Sequence, residues 1–294
     1  MKLKITGHTK VVGIYGDPVG HSVSPAMHNA AFEALGLGLV YVPFRVVAEP
    51  AGVLETAVAA IKALSMLGMN ITIPHKERVI RCLDEVDEHA REVGAVNTVL
   101  NRNGVLVGCN TDGSGYMLSL REETGLTPKG KRVLVIGAGG AARAVLYSIL
   151  ASGSAEVFVA NRTTDKAETL ASEFGSRFKK AAIKAIELDR EIINEHSANI
   201  DLLVNTTSLG MTGKGELDIS LENLPERAVV SDIVYCPLET GLLKKARVRG
   251  LKTHNGLSML VRQGAITFEL WTGRKAPIEV MKKAALEALG GTFL

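Results

Sequence analysis

The residues with chemistry to offer cluster in short stretches of the first 112 positions. His21-Ser22-Val23-Ser24-Pro25 follows the first apolar run, Asn70, Thr72 and Lys76 surround Pro74, Asn97 lies beside a hairpin signal, and Asn110-Thr111-Asp112 opens a polar helical stretch. Hydroxyls, amides and one ammonium form the set that a polyhydroxylated acid needs: donors for its carboxylate and mixed donor-acceptors for its ring hydroxyls. Each residue also has a plainer use. Ser24 can cap a helix, Asn70 and Asn97 can brace loops, Asp112 can be an N-cap, and Lys76 can be a solvated lysine. Their joint occurrence at successive strand ends favours a site, because open α/β sheets bind ligands there.

A second constellation lies further along. Gly137-Ala138-Gly139-Gly140-Ala141-Ala142 follows an apolar run and opens a helical stretch, fitting G-x-G-x-x-G/A with Ala142 in the last slot. Such glycines let backbone N–H groups approach a pyrophosphate at the positive end of a helix. About 20 residues on, where NAD enzymes carry an acid for the ribose 2′-hydroxyl, the chain reads Asn161-Arg162-Thr163. A guanidinium and a hydroxyl suit a 2′-phosphate instead. The plainer reading is a solvated turn capped by Thr163 or Thr164.

The elements that must hold these residues follow from periodicity. In the first half, strands are expected at Val11–Tyr15, Leu39–Val46, Met66–Thr72, Thr98–Leu100 and Val105–Val107, the last two joined by Asn103-Gly104 as a hairpin. Helices are expected at Ser24–Ala34 and Pro50–Leu64, with two polar helical stretches at Lys76–Cys82 and Glu85–Val93. A connecting helix, Asp112–Glu123, leads to a turn-rich break at Pro128–Lys131. A second series then reads as strands at Val133–Ile136, Val157–Ala160, Leu202–Val204, Val229–Ile233 and Lys252–His254, with helices at Ala141–Ala151, Thr164–Phe174 and Leu238–Val248. Glu187–Asn199 has no clear pattern. Two helices, Leu257–Trp271 and Ile278–Leu289, close the chain. The fold class is therefore α/β with two domains: residues 1–112, completed by 257–294, and a Rossmann-like domain over 113–256 that includes the connecting helix. The closing helices are expected to return to the first domain, with the active site in the cleft between domains.

Bulk properties remove other classes. The 294 residues carry a formal net charge of +3 with basic and acidic residues interleaved, unlike the clustered charge of a nucleic-acid binder. Cys82, Cys109 and Cys236 are far apart and include no Cys-x-x-Cys, so neither a disulfide framework nor a metal site is expected. No stretch approaches the ~20 apolar residues of a membrane span. A cytoplasmic enzyme with a small-molecule substrate, no nucleic-acid or membrane partner, and a monomeric or homodimeric state is expected.

Taken in order, "GDPVGHSVSPAMHN", "NITIPHK", "GAVNT", "GCNTDGSG", "GAGGAARA", "NRT", "NTTSLGM", "DIVYCPLET" and "GLSMLVRQGAITFELWTG" resemble the shikimate dehydrogenase family over nearly the whole chain. The resemblance implies reversible NADP-dependent reduction of 3-dehydroshikimate to shikimate, on the route to chorismate and the aromatic amino acids. The alternative within the family is a quinate/shikimate dehydrogenase with relaxed substrate or cofactor choice, and Arg162 argues against an NAD preference. The resemblance also implies roles. Lys76 and Asp112 would be the catalytic pair. Ser22 and Ser24 would hold the substrate carboxylate, and Thr72, Asn97, Thr111, Gln263 and Tyr235 the rest of the substrate. Gly137, Ala138, Gly139, Gly140 and Ala141, with Asn161, Arg162, Thr163 and Lys166, would bind NADP, and Ile233 and Gly256 would line the nicotinamide. One position departs from the family: Ser258 stands where Gly-Leu-Gly-Met is usual. A non-catalytic relative would have lost Lys76 or Asp112, and both are present.

Overall fold

The computed structural model describes residues 5–290. They form two compact units: unit 1 comprises residues up to Asp112 together with those from Val261 onward, and unit 2 runs from Gly113 to Leu260.

In unit 1, β1 (Lys10–Gly16), β2 (Leu39–Arg45), β3 (Gly68–Ile71), β4 (Glu85–Val86), β5 (Thr98–Arg102) and β6 (Val105–Cys109) share one sheet in the order β2-β1-β3-β5-β6-β4. β1 is parallel to β2 and β3, and β5 is antiparallel to β3 and β6. A strand inside a parallel region is covered on both faces and so reads as an unbroken apolar run; Val12 to Gly16 are all buried. The β5–β6 hairpin turns at Asn103 (φ 53°) and Gly104 (φ 93°), the left-handed pair that an Asn-Gly turn supplies. Helices α1 (Ser24–Ala34), α2 (Val53–Ala63) and α3 (Glu88–Val93) complete the first stretch.

Two expectations need correction here. Glu85–Val86 is not helical but a short strand parallel to β6, and α3 starts only at Glu88, where the Asp87 carboxylate accepts from Ala90 N–H. Lys76 is not in a helix either, since the 3₁₀ helix begins at Arg78. Polar composition resembled a solvated helix in both places, but local capping and sheet pairing decide the backbone.

In unit 2, α4 (Asp112–Thr124, whose first residue belongs to unit 1) leads into β7 (Arg132–Ile136), α5 (Gly140–Ala151), β8 (Glu156–Asn161), α6 (Thr164–Arg177), β9 (Ala182–Glu187), α7 (Arg190–Ser197), β10 (Leu202–Asn205), β11 (Val229–Asp232), α8 (Gly241–Val248) and β12 (Lys252–His254). All its strands are parallel, in the order β12-β11-β10-β7-β8-β9. That is the doubly wound order, with its switch point between β7 and β10. Alternate side chains supply two cores. Val133, Val135, Val157, Val159, Leu202 and Val204 pack with residues of α4, α5 and α6, whereas Leu134, Ile136, Phe158, Leu203 and Val230 pack with residues of α7 and α8. β9 escaped sequence reading because it is an edge strand, half exposed, without an apolar run.

The grouping changes inside the continuous helix α9 (Gly256–Thr272): Met259 packs in a unit 2 core, and residues from Val261 belong to unit 1. There α10 (Ile278–Ala288) packs on α1 and buries Met281 and Ala285. No helix among the described residues is long and apolar enough to cross a membrane, and no metal-binding cluster occurs among them.

Two buried histidines couple this packing to pH. His28 stacks on Tyr41 at 4.6 Å in unit 1, and burial pushes its pKa from 6.5 down to about 3. Burial pushes His254 of unit 2 down to about 4. A histidine whose folded pKa is depressed binds its proton more tightly when unfolded. Its contribution to stability is therefore complete above about 6.5 and is lost as pH falls toward about 4 for His254 and about 3 for His28, by on the order of several kcal/mol for the pair. The melting temperature should fall steeply between pH 6.5 and 4.5 and fall less in His28→Phe. A flat profile in the parent protein would contradict both burials.

Candidate active site

The unit 1 residues converge through the end of its sheet. Asn97 directly precedes β5 and is 3% exposed. Its Nδ2 donates to Thr111 Oγ1 (2.9 Å), Asp112 Oδ1 (2.8 Å) and Gln263 Oε1 (3.3 Å), while its Oδ1 accepts from Thr111 N–H (2.8 Å). Asn97 thus braces backbone and orients side chains at once. Asp112 opens α4, and Asn110 Oδ1 accepts from its N–H (3.0 Å). With Oδ1 engaged by Asn97, Asp112 Oδ2 accepts from Lys76 Nζ at 2.6 Å. The side chains of this ion pair are 17% and 6% exposed, so it sits at lower dielectric than a surface pair. Behind it lies a second layer. Asn70 Nδ2 donates to Asn97 O, Tyr41 Oη donates to Asn70 Oδ1, and Thr267 of α9 bonds to Thr98 and Thr111. The ammonium is therefore held by a carboxylate that is itself held, which is what preorganisation requires.

His75 secures the loop that carries Lys76. The ring is fully buried and its Nε2 lies 2.6 Å from Val46 O. Ser22, Ser24 and Thr72 stand outside the Asn97 network. Ser24 does not cap α1; it is the helix's first residue, its N–H donates to Ser22 Oγ (3.3 Å), and Pro25 occupies the first turn. Neither the Ser24 nor the Thr72 hydroxyl has a hydrogen bond among the described residues, which leaves both open to a ligand.

In unit 2 the glycine-rich loop leaves β7 at the switch point. Gly137 has φ +114°, and a Cβ there would lie 2.5 Å from Thr206 Oγ1, so conformation and space both exclude a side chain. Gly139 precedes α5, which begins at Gly140, and Ala138 packs on the core beneath. The first N–H groups of α5 lack intrahelical partners, as at any helix start, and can meet an anion. At the end of β8, Asn161 Nδ2 closes its turn onto Thr163 O (2.9 Å). Thr163 is the N-cap residue of α6, yet its side chain caps nothing. Arg162, Thr163 and Lys166 are exposed, and neither Arg162 nor Lys166 forms an ion pair among the described residues. Two cations and an open hydroxyl beside a β8 strand end suit a phosphate ester.

Ile233 and Tyr235 follow β11 in the same unit. Burial pushes the Tyr235 phenol up to about 12, so it is neutral in the working range. Gly256 opens α9 against this segment, and a Cβ on it would collide with the Ile233 carbonyl. Ser258 does not disturb the segment: α9 is regular from Gly256, and the Ser258 hydroxyl donates to the Glu123 carboxylate of α4.

Sequence reasoning gave no role to Asn205, Thr206 and Asp232, which form a buried polar cluster at the ends of β10 and β11. The available signal was polar residues closing two apolar strands of a parallel sheet.

Known proteins resemble the whole chain. Family models match for the shikimate dehydrogenase substrate-binding domain (residues 14–99), shikimate/quinate 5-dehydrogenase (119–212) and the shikimate 5′-dehydrogenase C-terminal domain (256–286). A shikimate dehydrogenase (NADP(+)) of Geobacillus kaustophilus is 48% identical over 281 residues, 95% of this chain and 99% of its own. A crystal structure of a shikimate dehydrogenase with NADP+ superposes with a TM-score of 0.89 at 40% identity, covering 98% and 99% of the two chains. The Thermus thermophilus enzyme with NADP(H) and shikimate gives 0.83 at 38% identity, covering 95% and 100%.

Proposed function

The chain belongs to the shikimate dehydrogenase family, and on that premise we propose that it catalyses the reversible NADP-dependent reduction of 3-dehydroshikimate to shikimate, with Lys76 and Asp112 as its catalytic pair. The observation that carries the assignment is the 2.6 Å Lys76–Asp112 contact, largely but not wholly buried and tied through Asn97 to Thr111 and Gln263.

Unit 2 fits NADP: the Gly137 cradle and the start of α5 suit the pyrophosphate, while Arg162, Thr163 and Lys166 suit the 2′-phosphate. Ile233 and Gly256 would border the nicotinamide. When bound, NADPH supplies the hydride that reduces the ketone carbon of 3-dehydroshikimate. The chain's own residues manage the oxygen. As charge develops there, the Lys76 ammonium stabilises it and delivers the proton. Asp112 fixes the ammonium through Oδ2 while Asn97 fixes Asp112 through Oδ1. The partial exposure of Lys76 lets solvent return the proton. In the reverse direction Lys76 first releases a proton to solvent, and the resulting amine accepts the hydroxyl proton. Ser22 and Ser24 hold the substrate carboxylate, and Thr72, Asn97, Thr111, Gln263 and the neutral phenol of Tyr235 meet its remaining polar groups. We place the protein in the cytoplasm, as a monomer or homodimer.

The test is a rate assay with shikimate and quinate, each with NADP+ and NAD+. Shikimate with NADP+ should give the highest kcat/KM; preferential turnover of quinate with NAD+ would move the chain to the quinate branch. Ser22→Ala and Ser24→Ala should each raise the shikimate KM by about tenfold, the value of one hydrogen bond to a charged group, with a smaller effect on kcat. A kcat loss at unchanged KM would place these hydroxyls at the reacting end of the substrate.

A further inference from the structure

We propose that Asp232 is the positioning residue of the cofactor site, one carboxylate that holds in register the segment beside the glycine-rich loop and the segment that carries Ile233 and Tyr235. This rests on the reading of unit 2 as the NADP-binding unit.

Asp232 ends β11 and is fully buried. Its Oδ1 accepts from Asn205 Nδ2 (3.0 Å) and from Val234 N–H (3.0 Å), and its Oδ2 accepts from Thr240 Oγ1 (2.7 Å). Each partner passes the constraint on. Asn205 Nδ2 also donates to Leu209 O, and its Oδ1 accepts from Thr207 N–H (3.0 Å) and Thr207 Oγ1 (2.7 Å). The Thr206–Thr207 pair lies against Gly137, where Thr206 Oγ1 donates to Ile136 O (2.6 Å) at the end of β7. Val234 sits between Ile233, whose N–H donates to Asn205 O (3.1 Å), and Tyr235. Thr240 caps α8 by accepting from Leu243 N–H.

The carboxylate therefore joins three strand ends of the parallel sheet, β7 through Thr206, β10 through Asn205, and β11 directly. It is kept there against its own hydration: burial raises its pKa to about 6 despite three donors. A residue that served only packing would be better apolar. Positioning asks only for acceptors, and an asparagine oxygen can replace Oδ1 while its amide turns to Thr240 Oγ1.

The experiment measures NADP+ and shikimate dissociation constants and steady-state constants for Asp232→Asn and Asp232→Ala in the full chain. Asp232→Asn should stay within about threefold of the parent in NADP+ affinity. Asp232→Ala leaves three donors without an acceptor and should weaken NADP+ by about tenfold or more and lower kcat, with a smaller rise in the binary shikimate constant, to which this segment contributes only Tyr235. If Asp232→Ala binds NADP+ normally and loses activity only in proportion to its unfolded fraction, the residue is structural and the proposal fails. Should that variant not fold, Thr240→Val removes the Oδ2 partner, together with the α8 cap that Thr240 provides, and leaves both Oδ1 contacts in place. It should weaken NADP+ about threefold, and a parental value would overturn the proposal. Failure of the parent protein to turn over shikimate with NADP+ would instead remove the underlying reading of the site.

Discussion

Replacing Lys76 by methionine should lower kcat by about 10²–10⁴-fold, the usual contribution of a positioned general acid–base, with a much smaller change in KM. Methionine keeps the length and apolar stem, so the loss isolates the ammonium. The charge interacts most strongly with the oxygen once hydride has reached the carbon, which is why the effect should fall on kcat. Asp112→Asn should also lower kcat and change the pH–rate profile, since Nζ would lose the charged acceptor now 2.6 Å away, while Asn97 would keep a partner for its Nδ2. Lys76→Met at near-parental kcat with a raised KM would make Lys76 a binding residue. The proton donor would then be sought first at Asp112 and Tyr235.

Arg162→Ala should weaken NADP+ by about tenfold to a hundredfold, the value of a charge-assisted hydrogen bond of ~1.5–3 kcal/mol, and leave NAD+ almost unchanged. The guanidinium is exposed and unengaged by any carboxylate among the described residues, so its removal disturbs no packing. The weakening should also diminish at high salt, because exposed charges are screened. Equal losses for both cofactors would assign Arg162 to the pyrophosphate or to the fold.

How much of this was legible in the sequence depended on how local the cause was. The glycine-rich loop was legible because an apolar run, a glycine cluster and a helical stretch sit side by side, and the Asn103-Gly104 hairpin because its turn conformation is a property of two residues. The α/β alternation survived for the same reason. β4 and β9 did not: each is set by pairing at a sheet edge, and its own residues carry no apolar pattern. Within the site, sequence could nominate Lys76 and Asp112 but not join them, since 36 positions separate them and only the sheet brings Asn97 beside Asp112. Asp232 was silent because a buried carboxylate looks like any polar strand end until its three donors are in view.

The split composition of unit 1 sets an order of events during synthesis. Unit 2 is one unbroken stretch, whose last residue, Leu260, leaves the ribosome before any of α10. Unit 1 begins first but finishes last, because Gln263 and Thr267, which complete the Asn97 network, arrive some 150 residues after Asp112. Chains emerge at ~5–20 residues per second and domains fold as units, so the nascent protein should complete its cofactor-binding module about one to six seconds before the end of α10 emerges to finish unit 1. Throughout that interval the face of α1 that α10 will cover stays exposed, and it is there that a chaperone would have reason to hold the growing chain.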